Sequence, residues 1–160
     1  MDTAFILMHR LGGPPETSKE GPHQQLTECA TSELWSELVS TCFEIEGVSP
    51  GRSTISMPDS KALLLKNLPK EHGPWSLAVE GWVEPVHIHG VLDTSIHAAL
   101  PPLRAAEVIA KGWGEKHPYA DFDTQLMIYA PRDQVELRVI AQLVNESVDF
   151  AQSQFLEKSN

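Results

Sequence analysis

His87-Ile88-His89-Gly90 and, four residues on, Ser95-Ile96-His97-Ala98-Ala99-Leu100-Pro101-Pro102 decide how this chain is read. Side chains two apart on a strand share a face, so His87 and His89 point the same way. Residues 94–100 form the next strand candidate. If the two strands pair through the turn near Gly90, His97 comes to the face that carries His87 and His89. Pro101-Pro102 then ends the strand and opens a helix, because proline fits a helix's first turn, where its missing N–H is not needed.

Working outward, residues 76–89 read as extended and broken near Pro85, and residues 62–65 as a short buried strand. Residues 53–57 alternate and read as another short strand, after a turn at Ser49-Pro50-Gly51. Leu26, Cys29, Ala30, Leu34, Leu38, Cys42 and Ile45 recur at spacings of three and four, which predicts an amphipathic helix ending near Gly47. Downstream, Leu103, Ala106, Val108, Ile109 and Ala110 give a helix its apolar side, and Gly112 stops it. Residues 125–130 read as a buried strand. Asp133 is placed to cap a long final helix outlined by Val135, Val139, Leu143, Val144, Val148 and Ala151. Helices and strands in this order predict a single α+β domain, a mostly antiparallel sheet with helices packed on one face. Residues 1–25 read as a partly irregular N-terminal segment, 26–156 as the domain, and 157–160 as a frayed end.

The bulk properties narrow the function classes. With 160 residues, the chain suits one core. Twelve basic against 22 acidic residues leave a net charge of −10, which disfavours nucleic acid and anionic membrane surfaces as partners. No apolar run approaches the ~20 residues of a membrane span, and the short run at residues 4–8 meets Arg10 and Gly12-Gly13-Pro14-Pro15 at once. A cytoplasmic location is expected. Cys29 and Cys42, placed on one helix, read as buried thiols too far apart for a disulfide.

Four of the seven histidines, His87, His89, His97 and His117, cluster in this stretch and are the candidate acid–base groups, since imidazole titrates near neutral pH. His87, His89 and His97 are also compatible with a metal site, although no acidic residue stands at an obvious ligand spacing. The alternative to both readings is that the histidines serve only as hydrogen-bonding groups of the fold. Arg132 is a candidate for an oxyanion, or for an ion pair with a helix carboxylate. Trp75, Trp82 and Trp113 line an aromatic pocket or fill the core, and Tyr129 joins Trp82 and Trp113 as a candidate substrate contact. No Gly-rich strand–turn–helix unit supports a nucleotide or flavin site, and no organic cofactor is expected.

His87-Ile88-His89, Ser95-Ile96-His97-Ala98-Ala99-Leu100, Lys111-Gly112-Trp113-Gly114-Glu115-Lys116-His117-Pro118 and Tyr129-Ala130-Pro131-Arg132-Asp133, followed by the pattern of residues 135–150, resemble the luciferase domain of bioluminescent fungi and its small fungal and bacterial relatives. Residues 53–65 resemble its preceding strands more faintly. The resemblance implies chemistry like that of the fungal luciferases, which oxidise a hydroxylated styryl-pyrone with molecular oxygen and without flavin or nicotinamide. Two departures speak against light emission: no N-terminal membrane helix is seen, and the stretch between Pro118 and Gln125 is shorter than the family's Gly/Pro-rich loop.

The expectation is therefore a small-molecule enzyme of secondary metabolism acting on a hydrophobic, polyketide- or pyrone-like substrate. One histidine removes a proton, His117 and Arg132 steady the oxyanion, and the enolate reacts with oxygen. The alternatives are an oxygen-independent cyclase, isomerase or dehydratase, a metal enzyme with a three-histidine site, and a non-enzymatic binding domain. A homo-oligomer is left open.

Overall fold

The computed structural model describes residues 4–156. Its elements are α1 (Ser32–Phe43), β1 (Ser49–Arg52), β2 (Lys61–Leu65), β3 (Val83–Ile88), β4 (Ile96–Ala99), α2 (Pro102–Ala110), β5 (Gly114–Lys116), β6 (Gln125–Ile128) and α3 (Gln134–Leu156). The strands form one antiparallel sheet in the order β1-β2-β3-β4-β6-β5. This is the α+β architecture expected. Among the described residues no helix is long and apolar enough to cross a membrane.

Strand periodicity divides the sheet's two faces. Leu63, Leu65, Val86, Ile88, Ile96, Ala98, Leu126 and Ile128 enter the main core with Leu38 and Cys42 of α1, Ala105 and Val108 of α2, and Leu137, Ile140 and Val144 of α3. Each large aliphatic side chain fully removed from water here contributes about 1.5–3 kcal/mol. The alternate residues form a row across the other face, where register sets Ala62 opposite His87, His87 opposite His97, His97 opposite Met127 and Met127 opposite Glu115.

Three local readings change. The first helix begins at Ser32, not Leu26: the Leu26 N–H bonds Glu16 O, Glu28 takes a φ of 55°, and the Thr31 Oγ1 caps the helix by accepting from the Leu34 N–H. Cys29 therefore does not share a helix with Cys42. Both are free thiols, and only Cys42 is buried. Secondly, Ser49-Pro50-Gly51 is an edge strand and residues 53–57 are not a strand. An edge position tolerates Pro50, which has no N–H to donate. Thirdly, residues 114–116 form β5, unread in the sequence because three residues are too few to show a period.

Other signals hold. Pro102 opens α2, and Asp133 Oδ1 accepts the Glu136 N–H at 2.9 Å to cap α3. Pro85 lies inside β3 where its register with β2 shifts between Leu63 and Leu65, and a bulge absorbs the missing donor. Ser147 of α3 bonds Ala99 O at 2.6 Å and Pro85 O at 3.2 Å, tying the long helix to the two histidine strands. The N-terminal segment buries Leu7 in the core, and Thr17 bridges Gln25. Residues 157–160, read as a frayed end, lie outside the described residues.

Candidate active site: a histidine-lined cavity

On the sheet face away from the helices lies a cavity of about 770 Å³, and six of the seven histidines line it: His23, His72, His87, His89, His97 and His117. The strands β3 and β4 place His87 directly opposite His97. His89, one residue past β3, continues the ladder by donating its N–H to Ser95 O at 2.9 Å. The loop after β5 brings His117, and the N-terminal segment brings His23.

A carboxylate orients three of these rings. Glu84, buried, sits 2.8 Å from His87 Nδ1. A carboxylate only accepts, so His87 carries its proton on Nδ1 and presents a lone pair at Nε2. His97 Nδ1 lies 3.1 Å from that lone pair and donates to it, which leaves His97 Nε2 without a proton. Glu115 Oε1 stands 2.6 Å from His23 Nε2, so a neutral His23 ring carries its proton there and leaves Nδ1 as a bare lone pair. Among the described residues, His97 Nε2 and His23 Nδ1 are both buried with no hydrogen-bond partner. Asp93 Oδ2 takes the third ring at 2.6 Å from His89 Nδ1, and Ser95 Oγ flanks the same nitrogen at 3.1 Å.

A strained turn aims Asp93. The Asp93 and Thr94 N–H groups both donate to Gly90 O, and Thr94, fully buried, takes a φ of 65°. A β-branched residue is rare there. It is held by Thr94 Oγ1, which accepts the Ala30 N–H at 2.8 Å and donates to Asp93 O. Asp93 Oδ1 in turn accepts from the Gln25 and Ser95 N–H groups. A Cβ at Gly90 would lie 1.9 Å from Asp59 Oδ2, so a larger residue there would require the exposed Asp59 side chain to move.

The electrostatics follow from burial. Desolvation pushes His87 below the usual imidazole range and outweighs the hydrogen bond and charge of Glu84, which act the other way. Desolvation, reinforced by the neighbouring rings, takes His97 well below it. His117 is lowered to about 4, by burial first and then by His23, His87 and His89. These three rings are neutral near pH 7. Burial works to raise Asp93, but its bonds with His89 and Ser95 prevail and hold it below the ordinary carboxylate range.

The fold thus brings His87, His89, His97 and His117 together. It does not bring Arg132 to the cavity: Arg132 Nε donates to Glu136 Oε1 at 2.6 Å and Nη2 to Leu11 O. Trp113 is buried in the core on the helix side, with Nε1 donating to Met8 O. Trp82 is stacked under Lys70 Nζ, and Tyr129 donates to Glu115 Oε2 at 3.1 Å, one bond behind His23. None of these three lines the cavity. Sequence reasoning missed His23 and the orienting carboxylates. Glu84 and Asp93 stand three before and four after their histidines, a readable signal for orientation though not for ligation. His23 carried no local signal. The rim, also unread, is apolar: Ile55, Met57, Val79, Tyr119 and Phe122 all keep large exposed surfaces beside the cavity.

Residues 80–147 match the family described as luciferase domain. The chain is 36% identical over 73 residues to the luciferase of Armillaria ostoyae, and 34% identical over 73 residues to those of Armillaria gallica and Neonothopanus nambi. The match takes in 42% of this chain and 27% of each relative, so the chain spans about a quarter of the length of these proteins. No solved structure matches. Four of the cavity's histidines, with Glu84 and Asp93, lie inside residues 80–147, and over that segment the chain is similar to the luciferase domain of fungal luciferases.

Proposed function

We propose that the chain is an enzyme that removes a proton from an enolic or phenolic oxygen or its vinylogous carbon on an apolar, pyrone- or polyketide-like molecule. The observation that carries this reading is the His89–Asp93 pair at the floor of an apolar-rimmed cavity. Asp93 holds the His89 proton on Nδ1, and Nε2 makes no hydrogen bond among the described residues. A base presented in that way takes its proton at Nε2, and the carboxylate behind it stabilises the imidazolium that forms. The exposed aliphatic and aromatic rim suits a hydrophobic ring system, and the volume suits one small molecule.

Deprotonation leaves an electron-rich enolate. With dioxygen as the oxidant, its carbon can be oxygenated without an organic cofactor, the course to which the similarity to proteins named luciferase lends support. Without dioxygen, return of the proton to another atom is an isomerisation, and the same base serves both.

The test uses a panel of 4-hydroxy-2-pyrones, 6-styryl derivatives included, followed by pyrone absorbance and dissolved oxygen. The chain is expected to turn over at least one member, and His89→Ala to lower the rate by about 10²–10⁴-fold in protein that circular dichroism shows still folded, its stability lowered by about 1–3 kcal/mol because Asp93 loses its partner. Equal rates in the variant and the parent would sink the base assignment, and no turnover of any member would sink the substrate class. Turnover that persists under nitrogen would select the isomerase course.

A further inference from the structure

We infer that His23 Nδ1, His97 Nε2 and His117 together hold one divalent first-row transition-metal ion, with an open position toward the cavity. The inference deepens the reading above: it rests on that reading for what the ion does to a substrate, but not for the ion's presence.

The two buried lone pairs are the starting point. His23 Nδ1 and His97 Nε2 are unpartnered among the described residues, on side chains of residues 5% exposed. Both are acceptors, so neither can satisfy the other. Buried polar atoms left in that state are costly, and a cation relieves both at once. One ring nitrogen from each of His23, His97 and His117 lies within 4.8 Å of the others.

Ring spacing agrees. The centroids are 5.3 Å apart for His23 and His97, 5.2 Å for His23 and His117, and 4.8 Å for His97 and His117. Imidazoles bound to one tetrahedral ion at ordinary metal–nitrogen distances have centroids about 5 Å apart. His117 supplies the third lone pair. Its Nδ1 accepts the Tyr119 N–H at 3.1 Å, an exposed bond that an ion can displace cheaply because that N–H also reaches water.

The shell behind the rings is already built. Metal-binding histidines donate their far N–H to a carboxylate or carbonyl, which fixes the tautomer and strengthens the ligand. His23 does so directly to Glu115, and His97 does so through His87 to Glu84. The chain Glu84–His87–His97 otherwise ends on an atom that bonds nothing. The other cluster, His87, His89 and His97, is within similar reach. There, however, His87 Nε2 and His97 Nδ1 are already engaged with each other, and a ligand role would break that bond.

Three neutral imidazoles suit zinc, iron, cobalt, nickel or copper, and not magnesium or calcium, which want oxygen. The ligands leave the ion's full charge on the site. With the His89 ring centroid 4.5 Å from that of His97, an oxyanion on the ion would lie beside the base that took its proton.

The 160-residue chain is stripped with a chelator and titrated with Co²⁺, read by its visible absorption, then with Zn²⁺ by competition, and native mass spectrometry gives the stoichiometry. One ion per chain is expected. His23→Ala and His117→Ala should each weaken binding at least tenfold, and Glu115→Gln by about 10–100-fold, while His89→Ala keeps the parent's affinity. No Co²⁺ binding by the parent overturns the inference, as does undiminished binding in both His23→Ala and His117→Ala. Loss in His89→Ala with retention in His23→Ala moves the ion to the other cluster and overturns it too. His23 and His117 are chosen because one sits on the N-terminal segment and the other on a loop, and circular dichroism of each confirms folding. None of these readouts is turnover, so failure here leaves the His89–Asp93 base to stand or fall by its own assay.

Discussion

The two faces of the central sheet are both buried and chemically opposite. On β3 and β4, Val86, Ile88, Ile96 and Ala98 face the helices and are fully buried. The residues between them, His87 and His97, turn the other way and are 2% and 5% exposed. The first set needs only shape and volume to be stable. Every polar atom of the second set needs a partner, because desolvation without one is penalised. The histidine face meets that demand with Glu84, Asp93 and Glu115, and fails to meet it at His97 Nε2 and His23 Nδ1. Two buried ring nitrogens without a partner among the described residues are not explained by stability, and the chemistry of the site lies beside them.

Three measurements sharpen or break this contrast. The largest stability effect belongs to the helix face: Ile96→Ala should cost about 2–5 kcal/mol in urea unfolding and leave metal affinity in place. A smaller cost would mean that the core relaxes around the loss and that the helix face is less tightly packed than its burial implies. Next comes Glu84→Leu on the histidine face. Without the carboxylate the His87 Nδ1–H is left buried and unpaired, and nothing holds the His87 proton away from Nε2, where it would meet the His97 Nδ1–H. The expected cost is about 1–3 kcal/mol, and the bare lone pair on His97 is no longer enforced, so Co²⁺ affinity falls with stability. If stability falls and metal affinity does not, His97 is not tuned through His87.

The smallest effect is a slope with pH. His87 and His97 are held below the ordinary imidazole value by burial. Below about pH 6.5 the unfolded chain therefore binds more protons than the folded one. Their contribution to stability is complete above that pH and is lost as pH falls toward the folded values. Asp93 and Glu115, both lowered against the pull of burial by their hydrogen bonds, add a loss of the same sign nearer pH 4. The melting temperature of chelator-treated protein should fall from pH 7 to pH 5. A flat profile would mean that the histidine face takes up protons without strain, and is wetter than its exposure suggests.

Much of this arrangement was legible along the chain. A two-residue spacing put His87 and His89 on one face, and the short connection through Gly90 predicted that His97 would join them. The helix starting at Pro102 and the Asp133 cap were read from local chemistry, and structure followed. Arg132 was offered as an oxyanion group or as an ion pair with a helix carboxylate. It makes the second contact, with Glu136 in the first turn of α3. The first-helix reading failed because apolar spacing at Leu26 and Cys29 mimicked a helix that Glu28's left-handed backbone forbids.

What the sequence determined alone is whatever depends on near neighbours: the period of each strand, the caps and stops of the helices, the acidic balance, and the motif order shared with the luciferase domain. Only the tertiary structure decided that His23, 64 positions before His87, would cover the same cavity, and that Tyr129 and Glu115 would stand behind it. Only packing could leave two lone pairs buried on neighbouring rings. Hydrogen-bond partners and desolvation are properties of where side chains meet in space, and a pattern along one chain carries no record of the meeting.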